Sequence, residues 1–121
     1  MNTLEDLKFK IDQLTPLIYV LSDDEHRTIK GIYEMSKKKS VTTEVYIYKS
    51  TTGIIEYNNY LKDIEKEKLY SVDQKTMEIN DAVTHIYKQN KKNCIQIFIM
   101  LEADYFLEDP QIVRRMKDYV I

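Results

Sequence analysis

Glycine and proline are scarce in this chain, two of each among 121 residues, and cysteine occurs once. So few backbone breakers leave no flexible linker, no collagen-like repeat and no low-complexity tract. A single cysteine, Cys94, cannot close an internal disulfide, and its place in an apolar run predicts buried packing in a reducing compartment. No apolar stretch approaches the roughly 20 residues that a membrane-spanning helix needs. Met1 to Asp6 lack the basic and apolar regions of a secretory signal, so a cytoplasmic location is expected. Neither sign of charge dominates: 18 Lys and Arg against 20 Asp and Glu leave a formal net charge of −2, which disfavours general nucleic-acid binding.

What is present fits a soluble globular chain. Hydrophobic residues make up 43 % and charged residues 31 %, in a length that supports one domain with its own core. The ten tyrosines suit half-buried faces of strands and helices. The organising stretch runs from Cys94 to Pro110. Its first half, Cys94 to Leu101, is short and almost unbroken in its apolar character, the pattern of a strand covered on both faces in a parallel sheet. Glu102 stops the run, and Asp109-Pro110 reads as an N-cap followed by proline at the first helical position, where its missing N–H costs nothing.

Around this strand, helices and strands alternate. Leu4, Leu7, Ile11 and Leu14 recur at helical spacing behind a Thr3–Asp6 cap, and Thr15-Pro16 ends that helix. Leu17 to Leu21 reads as a buried strand. Ser22 is expected to cap the next helix with Glu25 closing a capping box; Ile29, Ile32 and Tyr33 share its apolar face, and Lys37 to Lys39 suit its C-terminal end. Thr43 to Tyr48 is a second strand and Lys49 to Gly53 a polar turn. In the stretch from Ile54 to Tyr70, Asn58-Asn59 suggests a turn and Tyr60 to Ile64 a helical turn, with a short strand at Lys68 to Val72. Ile79, Ala82, Val83, Ile86 and Tyr87 form a helical stripe, and Asn90 to Asn93 a polar turn. Ile112, Val113, Met116, Tyr119 and Val120 form the buried face of a last helix. The alternation implies an α/β fold, a three-layer α-β-α arrangement about a small, mostly parallel sheet.

A nucleotide-binding α/β protein carries its phosphate loop in the first strand-to-helix turn, built from glycines and a lysine. Here that turn reads Leu21 to Arg27, without glycine or lysine and with three consecutive acids, Asp23, Asp24 and Glu25, that would repel a triphosphate. A helix cap explains the acids more simply than a cation site. Glu102 and Asp104 stand where a magnesium-binding carboxylate would sit, but with no phosphate loop they have no triphosphate to serve and read as a solvated strand end; a metal-dependent enzyme built on them is the weakest reading. His26 and His85 lie on predicted helices with no third ligand at metal spacing, and Cys94 has no local base. Lys37 to Lys39, Lys91-Lys92 and Arg114, Arg115 and Lys117 are the basic clusters, with Arg114 and Arg115 placed on an exposed helix face where they could reach a neighbouring subunit or domain.

Three blocks carry a family resemblance. They are Leu17 to Val20 followed by Ser22 to Glu25, the stretch Val45 to Ile55 with its glycine turn, and above all Tyr105 to Asp118, with a Leu107-Glu108-Asp109-Pro110 step into a helix bearing Arg114 and Arg115. In these the chain resembles the N-terminal domain of an AAA-type ATPase family, the conserved open-reading-frame ATPases of plastids and cyanobacteria with their phage and bacterial relatives. The resemblance implies a degenerate ATPase-like core without a phosphate loop, followed in the longer protein by the true ATPase domain. It implies that residues 1–121 form one domain, the N-terminal part of such a protein, with no catalytic, nucleotide-binding or metal residue and no cofactor of its own. Glu108, Asp109, Arg114 and Arg115 are the candidate interaction residues. The expected partner is a protein or the ATPase domain of its own chain, with self-association open; no membrane is expected. The alternative is a stand-alone small module, for instance phage-encoded, that binds a host protein.

Overall fold

The structure, a computed structural model, describes residues 3–23, 26–37, 41–68, 71–89 and 93–117. Among the described residues five helices and four strands follow in the order α1 (Thr3–Asp12), β1 (Leu17–Leu21), α2 (His26–Lys37), β2 (Thr43–Lys49), β3 (Gly53–Glu56), α3 (Tyr57–Glu65), α4 (Ile79–Lys88), β4 (Ile95–Met100) and α5 (Pro110–Met116), with short 3-10 turns at Gln74–Thr76 and Ala103–Tyr105. The strands form one sheet in the order β1-β4-β2-β3. β4 is parallel to both neighbours, Val20 and Ile47 flanking Ile99, and β3 is antiparallel to β2. The mostly parallel, helix-covered architecture is the one the alternation predicts.

Each strand sends two chemically different sets of side chains to the two faces, as the pleat requires. Ile18, Val20, Val45, Ile47, Ile95, Ile97 and Ile99 pack against Leu7, Ile11, Ile29, Ile32 and Tyr57 from α1, α2 and α3. Tyr19, Tyr48, Phe98 and Met100 pack against Ala82, Val83, Ile86, Ile112 and Met116 from α4 and α5. All six residues of β4 are buried, which is why its sequence shows no polar alternation. Gln96 is the polar exception; it lies 4 % exposed and its amide donates to Glu44.

Several expectations are corrected. Ser22 Oγ, expected to cap α2, is buried without a hydrogen-bond partner among the described residues, and the Ser22 N–H donates instead to the Met100 carbonyl at 3.1 Å, extending the β1–β4 ladder; Asp24 and Glu25 lie outside the described residues. Asn58 and Asn59 lie inside α3, because Tyr57, Tyr60, Leu61 and Asp63 supply a face that packs inward and outweighs the turn preference of two asparagines. Ser71 and Val72 are irregular rather than strand, Lys68 is a bend, and the remainder of that predicted strand lies outside the described residues. Leu14 turns away from the core at φ 58° and is 61 % exposed, since α1 has already ended at Asp12. Tyr87 and Val113, placed on buried stripes by spacing alone, are partly exposed. Cys94 is half-buried just ahead of β4. The Thr3 side chain, Glu25, Lys38-Lys39, Lys91-Lys92, Tyr119 and Val120 lie outside the described residues.

One glycine is required by the fold. After β2 the chain turns through Ser50 to Thr52 and re-enters the sheet at Gly53, with φ +72°. A Cβ there would come within 2.2 Å of the Asp73 carbonyl oxygen and 2.6 Å of the Thr76 hydroxyl. That close approach is used: the Asp73 N–H donates to the Thr52 carbonyl at 2.7 Å, and the Ile54 N–H donates to Thr76 Oγ1 at 2.8 Å. Glycine thus lets the hairpin and the segment leading to α4 share hydrogen bonds.

Candidate functional site: a crevice at the ends of β2 and β4

β2 and β4 run parallel and finish side by side, the Leu101 N–H donating to the Tyr48 carbonyl at 2.9 Å. Beyond that point β2 turns back into the sheet as β3, which leads to α3 on the aliphatic face, while β4 continues toward α5 on the aromatic face. The hairpin and the segment after β4 leave a crevice at the carboxyl ends of β2 and β4; the neighbouring parallel strands whose helices part to opposite faces are β1, followed by α2, and β4.

Glu102 closes this crevice. It holds φ 56° and ψ 44°, a left-handed conformation that a non-glycine residue adopts at a cost of about 1 kcal/mol or more. Its Oε2 accepts from Ser50 Oγ at 3.1 Å and its Oε1 lies 3.7 Å from Lys49 Nζ. The side chains of Lys49 and Glu102 are 28 % and 31 % exposed, so water partly screens the pair and its stabilisation is about 1 kcal/mol at most. Two hollows flank it. One, of about 420 Å³, opens on the aliphatic side between the start of α2, the β2–β3 hairpin and α3, with Lys49 in its wall. The other, of about 220 Å³, opens on the aromatic side beside Tyr48, Met77 and Phe106, with Ser50 and Glu102 in its wall. Leu101 borders both.

The walls are firmly built. Asp63 is 6 % exposed, and its carboxylate accepts from the Ser71 N–H at 2.9 Å and from Ser71 Oγ at 3.3 Å, anchoring the chain that leaves α3. The Tyr48 hydroxyl donates to the Met77 carbonyl at 2.7 Å. Burial first, then the charges of Glu78 and Glu102, push its pKa from 10.0 up to about 12, so it remains a neutral donor throughout the physiological range. The His26 ring sits 5.9 Å from that of Tyr60, and Tyr60, Tyr57 and Tyr33 continue as a row of ring contacts between α3 and α2. His26 Nδ1 and Ser22 Oγ are buried with no hydrogen-bond partner among the described residues.

The residues singled out by sequence do not converge on this crevice. Glu102 does, engaged by Lys49 and Ser50 rather than simply solvated, while Asp104 lies exposed in the turn that follows. Glu108, Asp109, Arg114 and Arg115 lie together along the approach to α5 and on the helix itself. Asp109 is committed to capping, its Oδ1 accepting from the Gln111 N–H at 2.9 Å ahead of Pro110. Arg115 turns back onto α4, donating to Thr84 Oγ1 at 2.9 Å with its guanidinium 5.5 Å from the Tyr87 ring centre. Glu108 and Arg114 are exposed, beside the partly exposed Leu107 and Val113. Lys49 and Ser50 escaped sequence reasoning because they precede Glu102 by about fifty residues; the available signal was a lysine ending one predicted strand and a glutamate just past another. Among the described residues no group of three His, Cys, Asp or Glu side chains could hold a metal ion.

The family model for the SpoVK-like AAA ATPase, N-terminal domain, matches residues 3–121. The chain belongs to this family. No curated protein and no solved structure matches it. In this SpoVK-like N-terminal domain, the block with the most specific resemblance, Leu107 to Arg115, is the turn that Asp109 closes and the helix that Arg115 fastens to α4. The glycine turn of the second block is the hairpin in which Gly53 meets Asp73 and Thr76. Among the described residues no helix is long and apolar enough to cross a membrane.

Proposed function

We propose that this SpoVK-like N-terminal domain is a non-catalytic interaction or regulatory module of an AAA-type ATPase, with nucleotide turnover left to an ATPase domain outside these residues. The observation that carries this reading is the end of β1. In an ATPase core a glycine-rich loop and a lysine would stand there; here Leu21, Ser22 and Asp23 continue directly from the strand, and the Ser22 N–H is spent on the Met100 carbonyl instead of facing a phosphate. A degenerate ATPase-like core and a cytoplasmic location are parts of the same proposal.

The surface assigned to the interaction is the α5 corner. Leu107 and Val113 are 39 % and 38 % exposed and lie among exposed Glu108 and Arg114, a mixture of apolar and charged groups common in protein interfaces. Asp109 and Arg115 serve it by fixing the start of α5 and its seat on α4. The partner is the ATPase domain of the same protein or another subunit.

Two measurements test this. Calorimetry and a phosphate-release assay on this chain with ATP and magnesium are expected to show no turnover; magnesium-dependent turnover by the chain alone overturns the reading. Amide NMR of the labelled chain, titrated with an AAA ATPase domain that follows such an N-terminal domain, is expected to perturb Leu107, Glu108, Val113 and Arg114. Perturbation confined to other surfaces removes the α5 corner from the proposal.

A further inference from the structure

We infer that the hollow on the aliphatic side of the crevice is a binding site for an organic cation: a primary ammonium or a guanidinium carried on a short apolar stem. The inference stands apart from the interaction role of α5, none of whose residues lines this hollow.

Three observations carry it. The first is an unanswered charge. Asp63 lines the hollow at 6 % exposure, and a carboxylate so deeply buried is ordinarily matched by a cation. Asp63 is not: its oxygens accept only from the Ser71 N–H and Oγ, and among the described residues it has no ion pair. An ionised carboxylate offers about four acceptor positions, so roughly half of its capacity is unfilled. Glu67 adds a second carboxylate to the same wall, exposed and likewise without an ion pair among the described residues. It is held there at φ 51°, just past the end of α3, where glycine is the ordinary residue.

The second is the engagement of the lysines. Lys49 and Lys68 also line the hollow, but neither pairs with Asp63 or Glu67. Lys49 Nζ lies 3.7 Å from Glu102, and each lysine has a further interaction of its own. With Glu102 set against Lys49, the carboxylates of Asp63, Glu67 and Glu102 outnumber the two ammonium groups, and the charge left over around the hollow is negative. A carboxylate or phosphate ligand would meet that excess, whereas a cation is drawn to it. The third is the lining. Ile47, Ile55 and Leu101 form an apolar floor from the sheet, and the rings of His26 and Tyr60 stand in the wall. The floor suits an alkyl stem taken out of water, and ring faces attract a cation and repel an anion. A volume of about 420 Å³ at the carboxyl ends of β2 and β4 is within the range of small-molecule sites and accommodates such a group.

The experiment is a methyl and amide NMR titration of the labelled chain with isopentylamine, with the neutral isopentyl alcohol of the same shape, with isocaproate of opposite charge, and with the acetylated amides of lysine and arginine. Saturable shifts are expected at Ile47, Ile55, Ile64 and Leu101, with the amine binding about tenfold more tightly than the alcohol, the ratio that one charge-assisted contact supplies, and isocaproate the weakest of the three. Asp63→Asn, which keeps the shape and an acceptor for Ser71, is expected to remove the preference for the amine. Glu67→Gln, at an exposed position that leaves the fold intact, is expected to weaken the amine severalfold. Glu67→Gly is expected to weaken it equally while raising the thermal midpoint, because glycine suits the left-handed backbone there. Lys49→Met, which takes away a positive charge from the wall, is expected to tighten the amine severalfold. A lysine or arginine amide that outbinds isopentylamine identifies a side chain of a protein segment as the natural source; the reverse order identifies a free amine. Equal binding of amine and alcohol, unmoved by Glu67→Gln, overturns the assignment of the cation, and so does isocaproate as the tightest probe. Absence of saturable shifts at these residues at millimolar probe overturns the site.

Discussion

The two faces of the sheet are equally buried and chemically unlike. On one, aliphatic side chains, mostly isoleucine and valine, meet α1, α2 and α3; on the other, Tyr19, Tyr48, Phe98 and Met100 meet α4 and α5, with Phe106 beside them. Tyrosine serves both sides: Tyr19, Tyr46 and Tyr48 on the aromatic face, and Tyr33, Tyr57 and Tyr60 between α2 and α3 on the other. Aromatic rings cover more area per residue, and a tyrosine can bury its ring while sending its hydroxyl to a backbone carbonyl, as Tyr48 does at Met77. Ring contacts tie the strands of this face together: Phe98 stacks on Tyr46 at 5.0 Å between centroids and meets Tyr19 at 6.2 Å, and Tyr48 meets Phe106 edge-on at 6.2 Å. The aliphatic face packs by branched shape on the sheet itself, with the stacked Tyr33 and Tyr57 rings, 3.8 Å between centroids, set between α2 and α3, and it leaves the hollow of about 420 Å³ where the sheet ends at the hairpin. The two layers differ in what they build: the aromatic one, through the Tyr48 hydroxyl, holds the approach to α4, and the aliphatic one forms the floor of the hollow beside the hairpin.

The sharpest way to break the comparison is to empty the aromatic layer at its centre. Phe98→Ala, at a position 1 % exposed, is expected to cost about 4 kcal/mol by denaturant unfolding. Gly53→Ala attacks the hairpin that borders the hollow: the added Cβ meets a backbone carbonyl at 2.2 Å in a left-handed conformation, and a loss of about 3 kcal/mol is expected in the same assay. Tyr48→Phe keeps the ring and deletes only the hydroxyl. A loss of about 1 to 2 kcal/mol is expected, since the Met77 carbonyl loses its partner. The smallest effect is expected from Ile97→Val on the aliphatic face, about 1 kcal/mol for one methyl group at a fully buried site. If Ile97→Val instead cost as much as Phe98→Ala, the idea that one layer is shape-packed and tolerant would fall.

Tyr48 also gives the comparison a pH signature. Its folded-state pKa is raised from 10.0 to about 12. Below pH 10 the tyrosine is protonated in both folded and unfolded chains, and the stabilisation is complete. Between pH 10 and 12 the unfolded chain releases the proton first, so stability falls as pH rises. Burial also raises the pKa of Tyr46, with its hydroxyl hydrogen-bonded to Glu44, and that of Tyr57, so the decline is shared. Thermal unfolding as a function of pH should show a shallower alkaline decline in Tyr48→Phe than in the parent; an unchanged slope would separate Tyr48 from the alkaline transition.

Much of the fold was legible in residue order. The periodicity of Ile29, Ile32 and Tyr33 and of Ala82, Val83 and Ile86 marks helices whose buried faces depend on spacing alone. Asp109-Pro110 announces α5 because capping and proline geometry act within one turn. The misreadings share a cause. Ser22, Asn58 and Asn59 have strong local preferences, and each was overruled by a distant partner: β4 for Ser22, and the core beneath α3 for the asparagines. β3 was not expected at all, because Gly53 to Glu56 is too short to announce itself without β2 beside it. In the α5 corner, sequence located Glu108, Asp109, Arg114 and Arg115 together, but not that Arg115 turns back onto Thr84 of α4 while Glu108 and Arg114 face out.

By itself, then, the sequence determined what depends on neighbours within a few residues: the helices and strands other than β3 and the full extent of α3, that β4 is covered on both faces, and that the first strand-to-helix turn lacks the glycines and lysine of a phosphate loop. Tertiary structure alone decided what depends on distant pairing. β1, β2 and β4 are all short and apolar, so nothing local places β4 between the other two; that order emerges only when helices cover both faces of the sheet at once. The same choice brings Lys49 and Ser50 to Glu102 across a separation of 52 residues between serine and glutamate, and so creates a crevice that no local motif records.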